Sequence, residues 1–170
     1  MHYIMRVMKI EINVGKALRK RDLTLAIAES CTGGLISSRM TDSSGSSDYF
    51  AMGIVAYSDK IKENILGVSP VLLQKYGAVS KQVALEMAKG ARLLAKTDIG
   101  VGVTGIAGPT GGTKKKPVGL VYIALVMDKK RIVKEFHYKG SRWDIKLQAS
   151  EAGLNLIKRC AILKLSAGIA

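Results

Sequence analysis

Histidine is nearly absent from this chain: His2 and His137 are the only two. A Ser-His-Asp or Cys-His hydrolase would have to rest on His137, which falls in a candidate edge strand, and no Gly-x-Ser-x-Gly elbow surrounds any serine. Cysteine is as scarce. Cys31 and Cys160 are too few for a disulfide framework and lack the spacing of a zinc site, and no set of nitrogen, sulfur or carboxylate ligands with metal spacing replaces them. Aromatic residues make up 5% of the chain, which argues against a platform for stacking single-stranded bases. No apolar run approaches the length that crosses a bilayer. The start, Met1-His2-Tyr3-Ile4-Met5-Arg6, lacks the apolar core and small-residue cleavage site of a secretory leader, so the expected location is the cytoplasm. Acidic residues are outnumbered, 13 against 27 Lys and Arg, and the formal charge of +14 favours nucleic acid, anionic metabolites or an acidic partner.

What is present is an ordinary globular composition, 48% hydrophobic with 18 glycines over 170 residues. A chain of that length buries about 70% of its extended-state surface in one domain. Neither repeat nor linker interrupts it, so residues 1–170 read as a single domain with a core from about 7 to 162. From Ile4 to Arg21, Val7, Ile10 and Val14 share one helical face. Leu23–Ala28 is a short apolar run typical of a buried strand, and Gly33-Gly34 opens a helix towards Met40. A Ser/Asp/Gly loop over 41–48 precedes the apolar run Phe50–Tyr57. Asp59 onward is helical. Ser80 is placed to cap a helix over 81–96 with Val83, Met87, Ala91 and Leu94 on its buried face. Ile99–Ile106 and Leu120–Met127 are further strands, and Ile132–Tyr138 an edge strand. A last helix from Ser141 to about Ile162 turns Ile145, Ala149, Ala152, Leu156 and Cys160 inward. The alternation predicts an α/β fold, an α/β/α sandwich with a mixed sheet flanked by helices.

Two glycine-containing motifs call for opposite treatment. Gly100-Val101-Gly102-Val103-Thr104-Gly105 spells a dinucleotide fingerprint, yet its glycines lie inside an apolar strand, and Pro109 follows where a helix should begin, so a nucleotide cofactor is not expected. No cofactor of any kind is implied. Ala28-Glu29-Ser30-Cys31-Thr32-Gly33-Gly34 is different. It places hydroxyls at a strand-to-helix corner, and a glycine-opened helix start presents unpaired N–H groups suited either to an oxyanion or phosphate or to simple capping.

If a serine is the nucleophile here, its proton must go to a base other than histidine. Lysine serves when burial or neighbouring cations lower its proton affinity. Lys62 suits the role: it follows Tyr57 by five residues on the first turn of a helix leaving a strand end, from where an amine folds back over the preceding loop. The alternative is that Lys60 and Lys62 are solvated helix charges. Ser47, in a Ser/Gly loop, and Tyr57, at a strand end, have equally plain readings as turn and rim residues.

In this order the segments Ala28–Gly34, Gly45-Ser46-Ser47, Tyr57-Ser58 with Lys62, Gly77-Ala78-Val79-Ser80, Thr104-Gly105-Ile106-Ala107-Gly108-Pro109 with Gly111-Gly112, Lys116-Pro117-Val118-Gly119, and Gly140 with Arg142 resemble the CinA carboxy-terminal domain family. These are the competence-damage-inducible proteins, whose stand-alone members act as nicotinamide-nucleotide amidohydrolases. The resemblance implies a metal-free deamidase converting nicotinamide mononucleotide to nicotinic acid mononucleotide and ammonia. It assigns Ser47 as nucleophile, Lys62 as its base and Tyr57 as the hydroxyl that completes the group. By the same analogy Ser30, Thr32, Gly33, Gly34, Thr104, Gly105 and Gly108 line the nucleotide pocket and Arg142 meets the phosphate. A homodimer is a family-level expectation.

Three features depart from the family pattern. The larger members carry an amino-terminal domain for which this chain has no room, Lys114-Lys115-Lys116 makes the glycine loop basic, and Lys146 stands where an arginine is expected. The rival reading is a basic binding protein that keeps this fold and serves nucleic acid or a protein partner through Arg19-Lys20-Arg21, Lys114–Lys116 and Lys129-Lys130-Arg131.

Overall fold

In a computed structural model, the backbone is described for residues 2–163 and the side chains for residues 10–162. Five strands, β1 (Leu25–Glu29), β2 (Phe50–Val55), β3 (Ile99–Gly105), β4 (Leu120–Met127) and β5 (Lys130–His137), form one sheet in the order β2-β1-β3-β4-β5. β1 runs parallel to both β2 and β3, whereas β4 and β5 are antiparallel to their neighbours. The mixed sheet and the expected edge strand at β5 are both present, and β2 is the opposite edge.

Alternation along the strands sorts the core into two layers. Leu25 and Ile27, Ile99, Val101 and Val103, and Val121, Ile123 and Leu125 face one side. There they meet α1 (His2–Arg19), α2 (Leu35–Thr41) and α6 (Arg142–Leu163) through Ile10, Val14, Leu18, Ile36, Met40, Ile145, Ala149 and Cys160. The expected inward face of α6 is as read from its spacing. Val7, assigned to the buried face of the first helix, lies outside the described side chains. Ala26 and Ala28 point the other way, to α3 (Asp59–Leu66), α4 (Pro70–Tyr76) and α5 (Lys81–Ala95), whose Leu66, Leu73, Val83, Met87 and Ala91 close the second layer. This is the α/β/α sandwich expected.

α5 begins where its cap requires, with the Ser80 hydroxyl accepting from Val83 N–H. One position on it departs from expectation. Leu94 is 51% exposed, because it lies in the last turn, one residue before the helix ends and two before the left-handed Lys96 that caps it. The fingerprint-like glycines acquire a packing role here. A Cβ at Gly100 would sit 2.1 Å from the Ala88 carbonyl oxygen, and one at Gly102 would sit 2.2 Å from that of Ala84. β3 is glycine-rich so that α5 can lie directly on its backbone.

The chain passes from β1 through α2 to β2 on one face, then from β2 through α3–α5 to β3 on the other. Adjacent crossovers on opposite faces leave a crevice beyond the carboxyl ends of β1, β2 and β3, where open α/β sheets bind ligands. Among the described residues no helix is long and apolar enough to cross a membrane.

Candidate active site

A cleft of about 340 Å³ opens at that crevice. Ser30 and Cys31 enter it from the end of β1, Tyr57 from the turn after β2, Asp59 and Lys62 from the first turn of α3, Thr104 to Gly108 from the end of β3, and Arg142 from the start of α6. Loop residues Thr110 and Gly111 and the α4–α5 connection at Ala78 and Val79 complete the wall. That connection is tied to the floor by Thr104, whose hydroxyl donates to the Ala78 carbonyl at 2.9 Å.

Ser30 follows the last residue of β1 and extends its ladder, donating N–H to Val103 O at 2.9 Å. Its backbone is therefore fixed by the sheet, while among the described residues no side-chain hydrogen bond engages its hydroxyl. Lys62 is 1% exposed. Its Nζ donates to the Tyr57 carbonyl at 3.2 Å and pairs with Asp59 Oδ1 at 3.3 Å, so the amine does fold back over the turn that precedes its helix. Ser58 fixes that turn by capping α3 through Ile61 N–H. Tyr57 is 61% exposed, and its hydroxyl accepts from Arg142 Nη2 at 2.9 Å. Arg142 Nη1 also donates to Gly108 O at 2.6 Å, so one guanidinium links the β2, β3 and α6 sides of the cleft.

Five expected binding residues, Ser30, Thr104, Gly105, Gly108 and Arg142, line the cleft together with Lys62 and Tyr57. Thr32, Gly33 and Gly34 do not, and at Gly34 the group that takes the amide is Glu29. This fully buried carboxylate accepts from Gly34 N–H and Ile36 N–H, both at 3.1 Å, from Ser37 N–H at 2.8 Å, and from the Ser37 hydroxyl at 2.7 Å. Gly33 N–H is also engaged, by Ser30 O at 3.1 Å. The start of α2 thus already holds an anion supplied by the chain, which corrects the expectation that the Gly33-Gly34 amides bind a ligand. Cys31 and Thr32 keep N–H groups that donate to no oxygen among the described residues. Both lie against the Cys31 sulfur. Burial pushes the Cys31 thiol up to about 12, further helped by the Glu29 charge and opposed by those two amides and Arg142. This residue is a neutral wall of the cleft.

Ser47 is the main departure. It is exposed in a short 3-10 turn, Ser46–Asp48, that precedes β2, whereas Tyr57 and Lys62 follow that strand. A strand of six residues spans about 17–20 Å, so within one chain Ser47 and Lys62 sit at opposite ends of β2. The neighbours of Ser47 serve another purpose: Arg19 donates to Ser44 O and Gly45 O and lies over the Tyr49 ring, which pins the turn to α1.

Asp59 and Glu29 were not singled out as site residues in the sequence. Asp59 had a signal in its place three residues before Lys62, the spacing of an intrahelical ion pair. Glu29 had one in closing a buried strand five residues before a helix-opening glycine. Among the described residues, no group of three or more His, Cys, Asp or Glu is placed to hold a metal.

A buried lysine, a serine whose hydroxyl makes no side-chain hydrogen bond among the described residues, and an arginine gather without histidine at the carboxyl edge of a mixed α/β sheet. The chain belongs to the CinA C-terminal domain family, whose family model matches residues 7–161. It is 48% identical over 151 residues to a CinA-like protein of Syntrophus aciditrophicus, covering 88% of this chain and 36% of that protein. A CinA-like protein of Pseudothermotoga lettingae is 47% identical over 151 residues, 89% of this chain and 37% of the relative. The chain therefore spans little more than a third of the length of these curated relatives. Among solved structures, the competence/damage inducible protein CihA of Agrobacterium tumefaciens superposes with a TM-score of 0.87 at 37% identity, covering 89% of this chain and 93% of that one. The competence damage-inducible protein A of Klebsiella pneumoniae superposes with a TM-score of 0.88 at 29% identity, covering 96% and 99%.

Proposed function

We propose that the chain is a nicotinamide-nucleotide amidohydrolase, converting nicotinamide mononucleotide to nicotinic acid mononucleotide and ammonia, with Ser30 as nucleophile in place of Ser47. The observation that carries this reading is the convergence of Ser30, Tyr57, Lys62 and Arg142 on one cleft, of a size in the range that holds small ligands. Arg142 offers a planar fork for a phosphate, and its present acceptors, a carbonyl and a phenol, are uncharged groups that a phosphate outcompetes.

In the chemical step the Ser30 hydroxyl attacks the carboxamide carbon as its proton passes to the lone pair of Lys62 Nζ. The amide of Cys31, which lines the cleft next to the nucleophile in sequence, is the donor available to the oxyanion. One such donor is typically worth about 2.7–4 kcal/mol. The protonated amine then delivers its proton to the departing nitrogen, ammonia leaves, and water cleaves the acyl-serine to the acid. Tyr57, held by Arg142, keeps its own O–H free to donate, and so couples phosphate binding to the reacting end of the cleft.

The test is ammonia release from nicotinamide mononucleotide by purified protein in the presence of a chelator. Ser30→Ala and Lys62→Ala are each expected to lower kcat by about 10²-fold or more, the scale of a nucleophile or positioned base, and Ser47→Ala to leave it unchanged. Loss of turnover in Ser47→Ala with retention in Ser30→Ala would return the nucleophile to the β2 turn. Absence of turnover, with nucleic-acid binding that weakens steeply as salt rises, would favour the rival binding role.

A further inference from the structure

We propose that Asp59 is a specificity-determining residue that reads the positive charge of the ring bearing the scissile carboxamide. The proposal rests on the pyridine-nucleotide reading above and adds to it the basis for choosing between substrate and product.

Among the described residues Asp59 is the only carboxylate lining the cleft, whose basic side chains are Lys62 and Arg142. In a chain of +14, an acidic side chain inside a phosphate-binding cleft works against the anion it must admit. Its place is also particular. One oxygen pairs with Lys62 Nζ at 3.3 Å, while the side chain stays 55% exposed and open to a ligand. A purely structural role is already filled, because Ser58 caps α3, and a first-turn carboxylate adds only a small dipole interaction. The cleft is therefore charge-ordered: Arg142, bonded to two uncharged acceptors, offers its fork to an anion, and Asp59 stands beside the amine that would work on the carboxamide.

A nicotinamide mononucleotide has the matching polarity, with a cationic ring nitrogen at the reacting end and phosphate at the other. Hydrolysis turns the neutral carboxamide into a carboxylate. The same Asp59 that attracts the substrate ring then repels the new anion and favours its release. Asp59 also gives the cationic ring a counter-charge that a neutral ring does not use.

The experiment compares two matched ligands that cannot be deamidated, oxidised 3-acetylpyridine mononucleotide, whose ring is cationic, and its reduced dihydropyridine form, whose ring is neutral. Dissociation constants are measured by titration calorimetry for the wild type and Asp59→Asn, with nicotinic acid mononucleotide as a third ligand. Asp59→Asn is expected to lower the preference for the cationic over the neutral ring about fivefold, the scale of one partly exposed charge pair, and to tighten binding of nicotinic acid mononucleotide. Asp59→Glu is expected to restore part of the preference. An unchanged cation-to-neutral ratio, or failure of the wild type to bind either mononucleotide, overturns the proposal. Ammonia release is scored separately, so that binding with the expected ratio but without turnover removes the amidohydrolase reading alone.

Discussion

Replacing Glu29 by glutamine tests whether the serine corner is held by an internal anion. The carboxylate collects four hydrogen bonds, two on each oxygen. Glutamine keeps the shape but exchanges one oxygen for an N–H₂ group. If that group takes the Oε2 position it faces two backbone donors, Gly34 N–H and the buried Ile36 N–H, and both bonds are lost. If the amide flips, the Ser37 hydroxyl can rotate to accept from it and only Ser37 N–H is stranded. The second arrangement is the cheaper. It leaves one unpaired backbone donor, at about 1–3 kcal/mol, and converts the surviving bonds from charge-assisted to neutral. The sum is about 3 kcal/mol, or about 6–12 °C in midpoint for a chain of this size. Because Ser30 directly follows Glu29 and its carbonyl accepts from Gly33 N–H, the same loosening displaces the hydroxyl. Turnover of nicotinamide mononucleotide should then fall about tenfold or more in kcat with KM little changed, since a misplacement near 1 Å costs up to about 10²-fold. Thermal melting followed by circular dichroism and steady-state ammonia release measure the two effects. A variant that melts within 2 °C of wild type with kcat within about twofold would refute the argument.

Three further outcomes follow from particular contacts. The Cys31 thiol, protonated in the fold up to about 12, should resist iodoacetamide at pH 8. Because the unfolded thiol ionises from its ordinary value upward while the folded one does not, stability should fall as pH rises from about 9 towards 12. Cys31→Ala should flatten that slope in urea titrations and retain substantial turnover. Gly102→Ala drives a Cβ to 2.2 Å from a backbone oxygen of α5 that has no rotamer to escape through; on the order of 3 kcal/mol should be lost in urea unfolding, and an unchanged midpoint would contradict the packing. Arg39 is buried among Glu11, Ser150 and Glu151, joining α1, α2 and α6, so Arg39→Met should cost about 3–5 kcal/mol by stranding Glu11, and Arg39→Met with Glu11→Leu should recover part of that loss in the same titration.

Much of the fold was legible because its signals are local. Ser80 caps through a hydroxyl three residues from its donor, α6 repeats its apolar positions at helical spacing, and the strands stand out as apolar runs bounded by turns. α4 was not separated from the helix before it, since Gly67-Val68-Ser69 is a brief break and Pro70 opens a helix of only seven residues. Leu94 misled because angular position tells which way a side chain points but not whether the sheet still lies beneath it. The glycines of Gly100–Gly105 lie inside β3 as the apolar run implied, but their packing role needed α5 in place, because the clash a Cβ would cause lies with carbonyls at Ala84 and Ala88.

The site was legible residue by residue and not as an assembly. A parallel β1–β2 pair brings residues that follow the two strands to one edge, so Ser30 and Tyr57 meet although 27 positions separate them in sequence. By the same rule the residues preceding β2 must gather at the opposite edge, with the start of β1. Ser47 therefore belongs with Arg19 and Tyr49, and its closeness to Lys62 in sequence, 15 positions, signifies distance in space because the strand runs between them. Within one chain the polarity of β2 puts Ser30, and not Ser47, at the same end as Lys62. The turn after β1 gains a second qualification from Glu29, since an internal carboxylate that fills the start of α2 leaves the Ser30 hydroxyl, on the cleft wall beside Cys31, as the group still open to a ligand.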